Sequence, residues 1–377
     1  MNAQIRVLVV DDSALMRKMI PQILAEDPSI EVVGTAMDGS FGLKKIEELK
    51  PHVVTLDLEM PRMDGIEMLR AITRKHHVPV IIVSSHTERG ASSTLKALAL
   101  GAFDFVPKPH DAAAGHLHAI ASELLLKIKV AASSGAPKMI LTVPTQKQKG
   151  TRPLEERRNP SRVAAIGIST GGPAALQYLF SQLPDDFPGC LLVVQHMPEG
   201  FTDMFARRLD ESCAIEVKEA RSGDLLLAGR ALICPGNRHM RVRRLPQGDI
   251  VVLDDHPPVN GHRPSADVLF YSVAREFGGS ALAVIMTGMG DDGAAGIGAI
   301  HDAGGLTLAQ NSDSCVVDSM PRSAVERGFI DRVVPLSALA SFIQAQCLAE
   351  KYHHELASVS SSAEPAGDER GVRRRPS

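Results

Sequence analysis

Neither sign of charge dominates this chain: 41 lysines and arginines stand against 44 aspartates and glutamates, a formal net charge of −3. Such a balance gives no basis for a nucleic-acid or membrane-surface partner. Cysteine is scarce, and Cys190, Cys213, Cys234, Cys315 and Cys347 show neither a CxxC pair nor another metal-ligand spacing. Most of them lie in apolar runs, which predicts buried thiols. No apolar run approaches the roughly 18 residues that a membrane-spanning helix needs. The first strand is not preceded by a basic-then-apolar leader, so a cytoplasmic protein without direct membrane insertion is expected. Internal repeats are absent. What remains is a chain of 377 residues, 44% hydrophobic and 23% charged, with the makeup of ordinary globular domains.

From residue 4 to about 130, apolar strands alternate with helical stretches. The strands read Arg6–Val10, Glu31–Thr35, His52–Leu56, Val80–Val83 and Phe103–Val106, at the spacing of βα crossovers. After Val130 the composition turns to Ser, Gly, Pro, Lys, Arg and Gln, and 131–160 reads as a linker. Its short Met139–Val143 patch is placed to dock on a domain. A second α/β region follows over 161–350. Its strands are Val163–Ile168, Leu191–Gln195, Ala214–Val217, Ala231–Ile233, Leu282–Met286 and Leu306–Ala309, with a hairpin of Met240–Arg243 and Ile250–Leu253 inserted. Residues 351–377 read as a disordered tail. The fold class is therefore α/β, with two doubly wound domains and mainly parallel sheets.

Such sheets gather function at the carboxyl ends of their strands. In the first domain that edge collects Asp11 and Asp12 after strand one, Asp57 after strand three, Ser84 after strand four and Lys108 after strand five. Three clustered carboxylates repel one another unless a hard divalent cation sits among them, and Mg²⁺ suits oxygen ligands. Taken singly, Asp11 or Asp12 could equally cap the helix that begins near Ser13. The segments Val9-Val-Asp-Asp-Ser13, Thr55-Leu-Asp57, Met60-Pro-Arg-Met-Asp-Gly65 and Val106-Pro-Lys-Pro109 resemble the receiver domain of bacterial two-component response regulators. The resemblance implies a flavodoxin-like fold and Asp57 as phosphoacceptor. It also implies Asp11, Asp12 and Asp57 as Mg²⁺ ligands, Ser84 and Lys108 as switch residues, and a cis peptide before Pro109.

In the second domain Val163–Ile168 runs into Ser169-Thr-Gly-Gly172, a strand–turn–helix layout that lifts a hydroxyl to the sheet edge and aims backbone N–H groups at its target. Alone, this turn could equally cradle a nucleotide phosphate. His196, however, ends the next strand, Leu191-Leu-Val-Val-Gln-His196, where an imidazole can take the serine proton. Met286-Thr-Gly-Met-Gly-Asp-Asp-Gly293 adds Asp291 and Asp292 on a tight loop entering a helix. One of the two is expected to cap that helix, and a carboxylate behind the histidine would fix its tautomer.

Ile166–Gly172, Gln195-His-Met-Pro-Glu-Gly-Phe-Thr202, Pro235-Gly-Asn-Arg-His-Met240, His262–Phe270 and Thr287-Gly-Met-Gly-Asp-Asp-Gly293 together are similar to the bacterial chemotaxis protein-glutamate methylesterase family. The similarity implies a Rossmann-like serine hydrolase domain with Ser169, His196 and Asp292 as catalytic residues. Asp292 takes the acidic place directly before Gly293, where Asp291 fills a variable one. Oxyanion donors would be the N–H groups of Thr170 and Met289. Implied partners are methyl-accepting chemotaxis receptors as substrate and a chemotaxis histidine kinase as phosphodonor. The esterase step itself calls for no cofactor. Asp318-Ser-Met-Pro321 departs from the family's glycine-containing turn. Arg207-Arg208 and Arg241–Arg244 read as solvated faces, and His262-Arg263-Pro264 as the border of the substrate cleft.

Overall fold

A computed structural model describes residues 4–85, 87–108, 114–134 and 159–362. The Lys108–Pro109 peptide and the Met139–Val143 patch lie outside these residues.

Five parallel strands form the first sheet in the order β2-β1-β3-β4-β5: β1 (Ile5–Val10), β2 (Ile30–Ala36), β3 (Val53–Leu56), β4 (Val80–Ser84) and β5 (Asp104–Pro107). Helices α1 (Ala14–Leu24), α2 (Gly39–Leu49), α3 (Gly65–Lys75), α4 (Glu88–Ala99) and α5 (Ala114–Ser134) connect and cover them. The central strands are buried on both faces, and so they read as continuous apolar runs. Ser13 caps α1 and Asp64 caps α3, accepting from the N–H groups of Met16 and Glu67.

The second sheet has seven strands in the order β14-β13-β12-β6-β7-β9-β8, and every neighbouring pair is parallel. It comprises β6 (Val163–Ile168), β7 (Cys190–Gln195), β8 (Glu216–Glu219), β9 (Arg230–Ile233), β12 (Leu282–Ile285), β13 (Leu306–Gln310) and β14 (Arg332–Val334). The antiparallel hairpin β10 (His239–Arg243) and β11 (Ile250–Asp254) stands apart from it. Helices α6 (Gly172–Ser181), α7 (Phe201–Ser212), α8 (Ala266–Phe277), α9 (Ala294–Asp302), α10 (Ser319–Glu326) and α11 (Leu336–Ser362) complete the unit. The helix α11 continues to Ser362, well past the residue where the tail was expected to begin. No disulfide joins any of the five cysteines, and all but the half-buried Cys315 are buried.

The two units meet through apolar surface. Helix α4 of the first unit packs against α6 and α7, and Phe105 of β5 stacks on Phe201 at 4.9 Å between ring centroids. On the other side, Leu124 and Ile128 of α5 share one cluster with Met289, Val316 and Val317. Polar groups cross the seam as well. Thr170 Oγ1 donates to Asp104 Oδ2 at 2.7 Å across it, while within the first unit Lys127 Nζ reaches Asp104 at 3.3 Å, Glu123 at 2.7 Å and the Phe105 carbonyl at 2.6 Å.

Candidate active site

In the first unit Lys108 Nζ sits 2.8 Å from Asp57 Oδ2 and 3.0 Å from Asp11 Oδ2. Carboxylate oxygens of Asp11, Asp12 and Asp57 come within 4.8 Å of one another. Burial pushes the pKa of Asp57 and of Asp11 up, against the opposing pull of Lys108. Two buried carboxylates and the exposed Asp12 held this close, with one lysine to offset them, make an all-oxygen donor set that fits a hard divalent cation. Ser84 lies beside this pocket but its hydroxyl is turned toward α4, donating to Gly90 O at 3.2 Å and accepting from Thr94 at 2.6 Å. Neither aspartate caps α1, since Ser13 does, and Asp11 Oδ1 instead accepts from the Ser13 N–H at 2.8 Å.

The second site is organised by strand register. Ile168 of β6 lies beside Gln195 of β7, so the residues that follow, Ser169 and His196, leave the sheet side by side. The His196 N–H donates to Ile168 O at 3.1 Å. Gln195 Nε2 donates to the carbonyls of both Ser169 and His196, at 3.0 and 3.1 Å, and so ties the two strand ends together. Close approach dictates glycine next to the nucleophile: a Cβ on Gly288 would lie 2.2 Å from Met320 Sδ and 2.8 Å from Ser169 Cβ.

His196 Nε2 lies 2.8 Å from Asp292 Oδ2. Asp292 is 1% exposed, and it also accepts from Ser265 Oγ and the Ala266 N–H, both at 2.6 Å, and from Asn260 Nδ2 at 3.3 Å. Burial alone would raise the Asp292 pKa, but His196 and these donors outweigh it and hold the group at about 2. The carboxylate is therefore ionised and accepts, so in the neutral imidazole the proton lies on Nε2 and the lone pair on Nδ1. That Nδ1 is buried and has no partner among the described residues. Ser169 Oγ likewise makes no hydrogen bond among the described residues, nor do the N–H groups of Thr170 and Met289. The unpaired groups of the site thus include one hydroxyl, one basic nitrogen and two backbone donors, the parts that acyl transfer needs.

Asp291 points elsewhere, to Arg327 at 2.8 Å. Neither aspartate caps α9, contrary to the expectation from the loop sequence: its N-cap is Gly293, at a φ of 90° that favours glycine. The carboxylates are exchanged between helices instead. Asp292, ahead of α9, accepts from the first turn of α8, while Asp267 of α8 accepts from Gly296 N–H of α9 at 2.6 Å. Ser265, Asn260 and Gln195 were not singled out from sequence. The only available signal was their place inside the similar segments or next to them.

A family model described as "Response regulator receiver domain" matches residues 7–120, and one described as "CheB methylesterase" matches 164–343. Fold and site together thus define a hydrolase joined to a response-regulator receiver. A Koribacter versatilis protein named protein-glutamate methylesterase/protein-glutamine glutaminase 2 is 64% identical over 353 residues, covering 92% of this chain and 97% of the relative. The equally named proteins of Symbiobacterium thermophilum and Pyrococcus horikoshii are 47% and 42% identical, each over 90% of this chain and over 96% and 92% of their own lengths. This chain belongs to the protein-glutamate methylesterase/protein-glutamine glutaminase family and is a hydrolase of that class.

Proposed function

We propose that the chain is a phosphorylation-activated serine esterase that demethylates glutamate methyl esters on methyl-accepting chemotaxis receptors, and deamidates receptor glutamines, in chemotactic adaptation. It would act in the cytoplasm, with a chemotaxis histidine kinase as phosphodonor. A receiver within residues 1–130 would govern a catalytic unit within 161–350. The observation that carries the chemistry is His196, held at Nε2 by an ionised Asp292 with Nδ1 unpaired, at the strand end beside that of Ser169.

Ser169 Oγ attacks the γ-carbonyl carbon of the ester while His196 Nδ1 takes its proton. The carbonyl electron pair moves onto oxygen, held by the N–H groups of Thr170 and Met289. One such donor is worth roughly 3–4 kcal/mol of barrier. Collapse expels the methoxy group, which leaves as methanol with the proton from His196. Water, deprotonated by the same nitrogen, then attacks the acyl carbon. Ser169 recovers its proton and glutamate is released. A glutamine side chain follows the same course and loses ammonia.

Regulation follows from which residues the receiver touches. Asp104 holds the Thr170 hydroxyl, and the α5 cluster covers Met289, so both oxyanion residues are engaged by the receiver in this conformation. We read it as the resting, closed state. Taking such an equilibrium from mostly closed to mostly open needs about 5.5 kcal/mol of differential stabilisation. Asp57 would accept the phosphoryl group, and Lys108, already against Asp57, would hold one of its oxygens. Asp11, Asp12 and Asp57 would bind Mg²⁺, which supplies positive charge to offset that of the incoming phosphoryl group.

The test is Ser169→Ala assayed for both methanol and ammonia release from receptor membranes. Loss of both is expected, and retained turnover of either would rule out Ser169 as the shared nucleophile.

A further inference from the structure

Against His196 lies a tight turn whose last residue has no part in the chemistry above. Val259 N–H donates to His262 O at 3.0 Å and His262 N–H to Val259 O at 2.9 Å, closing a two-residue turn over Asn260-Gly261. Both central residues have positive φ, 52° and 77°, as a type I′ turn requires and as an Asn-Gly pair permits. Asn260 Nδ2 anchors the turn to Asp267 Oδ2 at 2.6 Å and to Asp292 Oδ1 at 3.3 Å. The carboxylate that orients His196 therefore also fixes this turn.

The turn delivers the His262 ring flat onto His196, with centroids 3.9 Å apart and planes inclined by only 6°. Among the described residues neither ring nitrogen of His262 has a hydrogen-bond partner, so its own polar edge does not account for its placement. Burial first, and then the charge of His196, hold its pKa at about 4. At neutral pH it is an uncharged ring that does not oppose a proton on its neighbour.

We propose that His262 is a positioning residue for ester and amide hydrolysis. Its ring covers one face of His196, which keeps the imidazole in the plane joining Asp292 to Ser169 and bars water from that side of the imidazolium. A tilt of the base out of that plane would misalign proton transfer with the attack of Ser169 Oγ. Misplacement of about 1 Å can cost on the order of 100-fold. The proposal rests on Ser169, His196 and Asp292 being the catalytic set.

Two replacements of the full-length protein separate face from polarity. His262→Phe keeps a flat ring without nitrogens, and His262→Gln keeps polar atoms without a ring. Methanol release from methylated receptor membranes is measured with Mg²⁺ and acetyl phosphate present, alongside Ser169→Ala. His262→Gln should lose about 10- to 100-fold in kcat with KM little changed. His262→Phe should recover most of that loss and keep the native acid limb of the pH–kcat/KM profile. The reverse order, with the Gln variant faster than the Phe variant, would overturn the proposal by placing the role in the ring nitrogens. Native rates in both would overturn it by making the ring idle. Turnover by Ser169→Ala would instead sink the catalytic set itself, which distinguishes the two failures.

Discussion

If the receiver silences the enzyme by holding Thr170, removing Asp104 should release it. Asp104 is on β5, outside the catalytic unit, so Asp104→Ala replaces no residue that meets substrate and acts there only through its bond to Thr170. In the closed state its Oδ2 accepts from Thr170 Oγ1 at 2.7 Å and lies 3.3 Å from Lys127 Nζ. A hydrogen bond to a charged acceptor is worth about 1.5–3 kcal/mol when both groups are withdrawn from water. Thr170 is 3% exposed and Asp104 is 7% exposed, so that condition holds here. In the open state water would serve both groups, and the contacts of Asp104 to Lys127 and the Phe105 N–H, being within its own unit, are lost from both states alike. The closed-to-open ratio should therefore fall by about 10- to 150-fold. From a resting ratio of about 99 to 1, the open fraction would climb from about 1% to between about 10% and 60%. Methanol release by the unphosphorylated protein should rise accordingly, while the phosphorylated rate changes little. Phosphorylation of Asp57 by acetyl phosphate reports that the variant receiver still folds. An Asp104→Ala protein that accepts phosphate normally but rests as quietly as the native enzyme would refute the lock.

Two further predictions concern the catalytic unit. Asp292→Asn keeps the shape of the site but removes the ionised acceptor at His196 Nε2, so the basic nitrogen is no longer pinned to Nδ1. Methanol release by the phosphorylated enzyme should fall by about 10³- to 10⁴-fold, and a loss under tenfold would contradict the assigned tautomer. Acid stability should show two steps. His262 is held at about 4 in the folded chain against 6.5 ordinarily, so the unfolded state gains protons first and stability falls as pH drops from 6.5 toward 4. Asp292, held at about 2 against 3.8, withdraws its contribution as pH falls from 3.8 through 2. Urea midpoints of His262→Phe should therefore be flatter with pH than native between 6.5 and 4, and equal slopes would contradict the assignment.

Much of this site was legible in the sequence because parallel strands put their last residues at one edge. Ser169, His196, Asp57 and Lys108 each directly follow a mainly apolar strand, and knowing the strand is enough to place the residue at the sheet edge. Strand ends moved by one or two residues, as with β8, expected over Ala214–Val217 and found at Glu216–Glu219. The three-residue strand β14 escaped notice because Arg-Val-Val is too short to show a period. What the sequence could not disclose are contacts between segments far apart in it. Thr170 and Asp104 are 66 residues apart and belong to different units. Nothing in either segment marks the pairing, since a threonine beside a nucleophile and an aspartate opening a strand each have ordinary explanations. The exchange of caps between α8 and α9 was hidden for the same reason: a local reading gives an aspartate before a helix to that helix, and here Gly293 takes the position. His262 lies in a segment that carries the family resemblance, but its stacking on His196 depends on how the Asn260-Gly261 turn folds back.

The central claim is a serine esterase whose cleft is opened by phosphorylation of its own receiver, and methanol release from methylated receptor membranes tests it most directly. The native protein and Asp57→Asn should be compared with and without Mg²⁺ and acetyl phosphate. The account predicts slow release by both at rest, a steep rise for the native protein with phosphodonor, and none for the variant. Equal rates in all four conditions would contradict it.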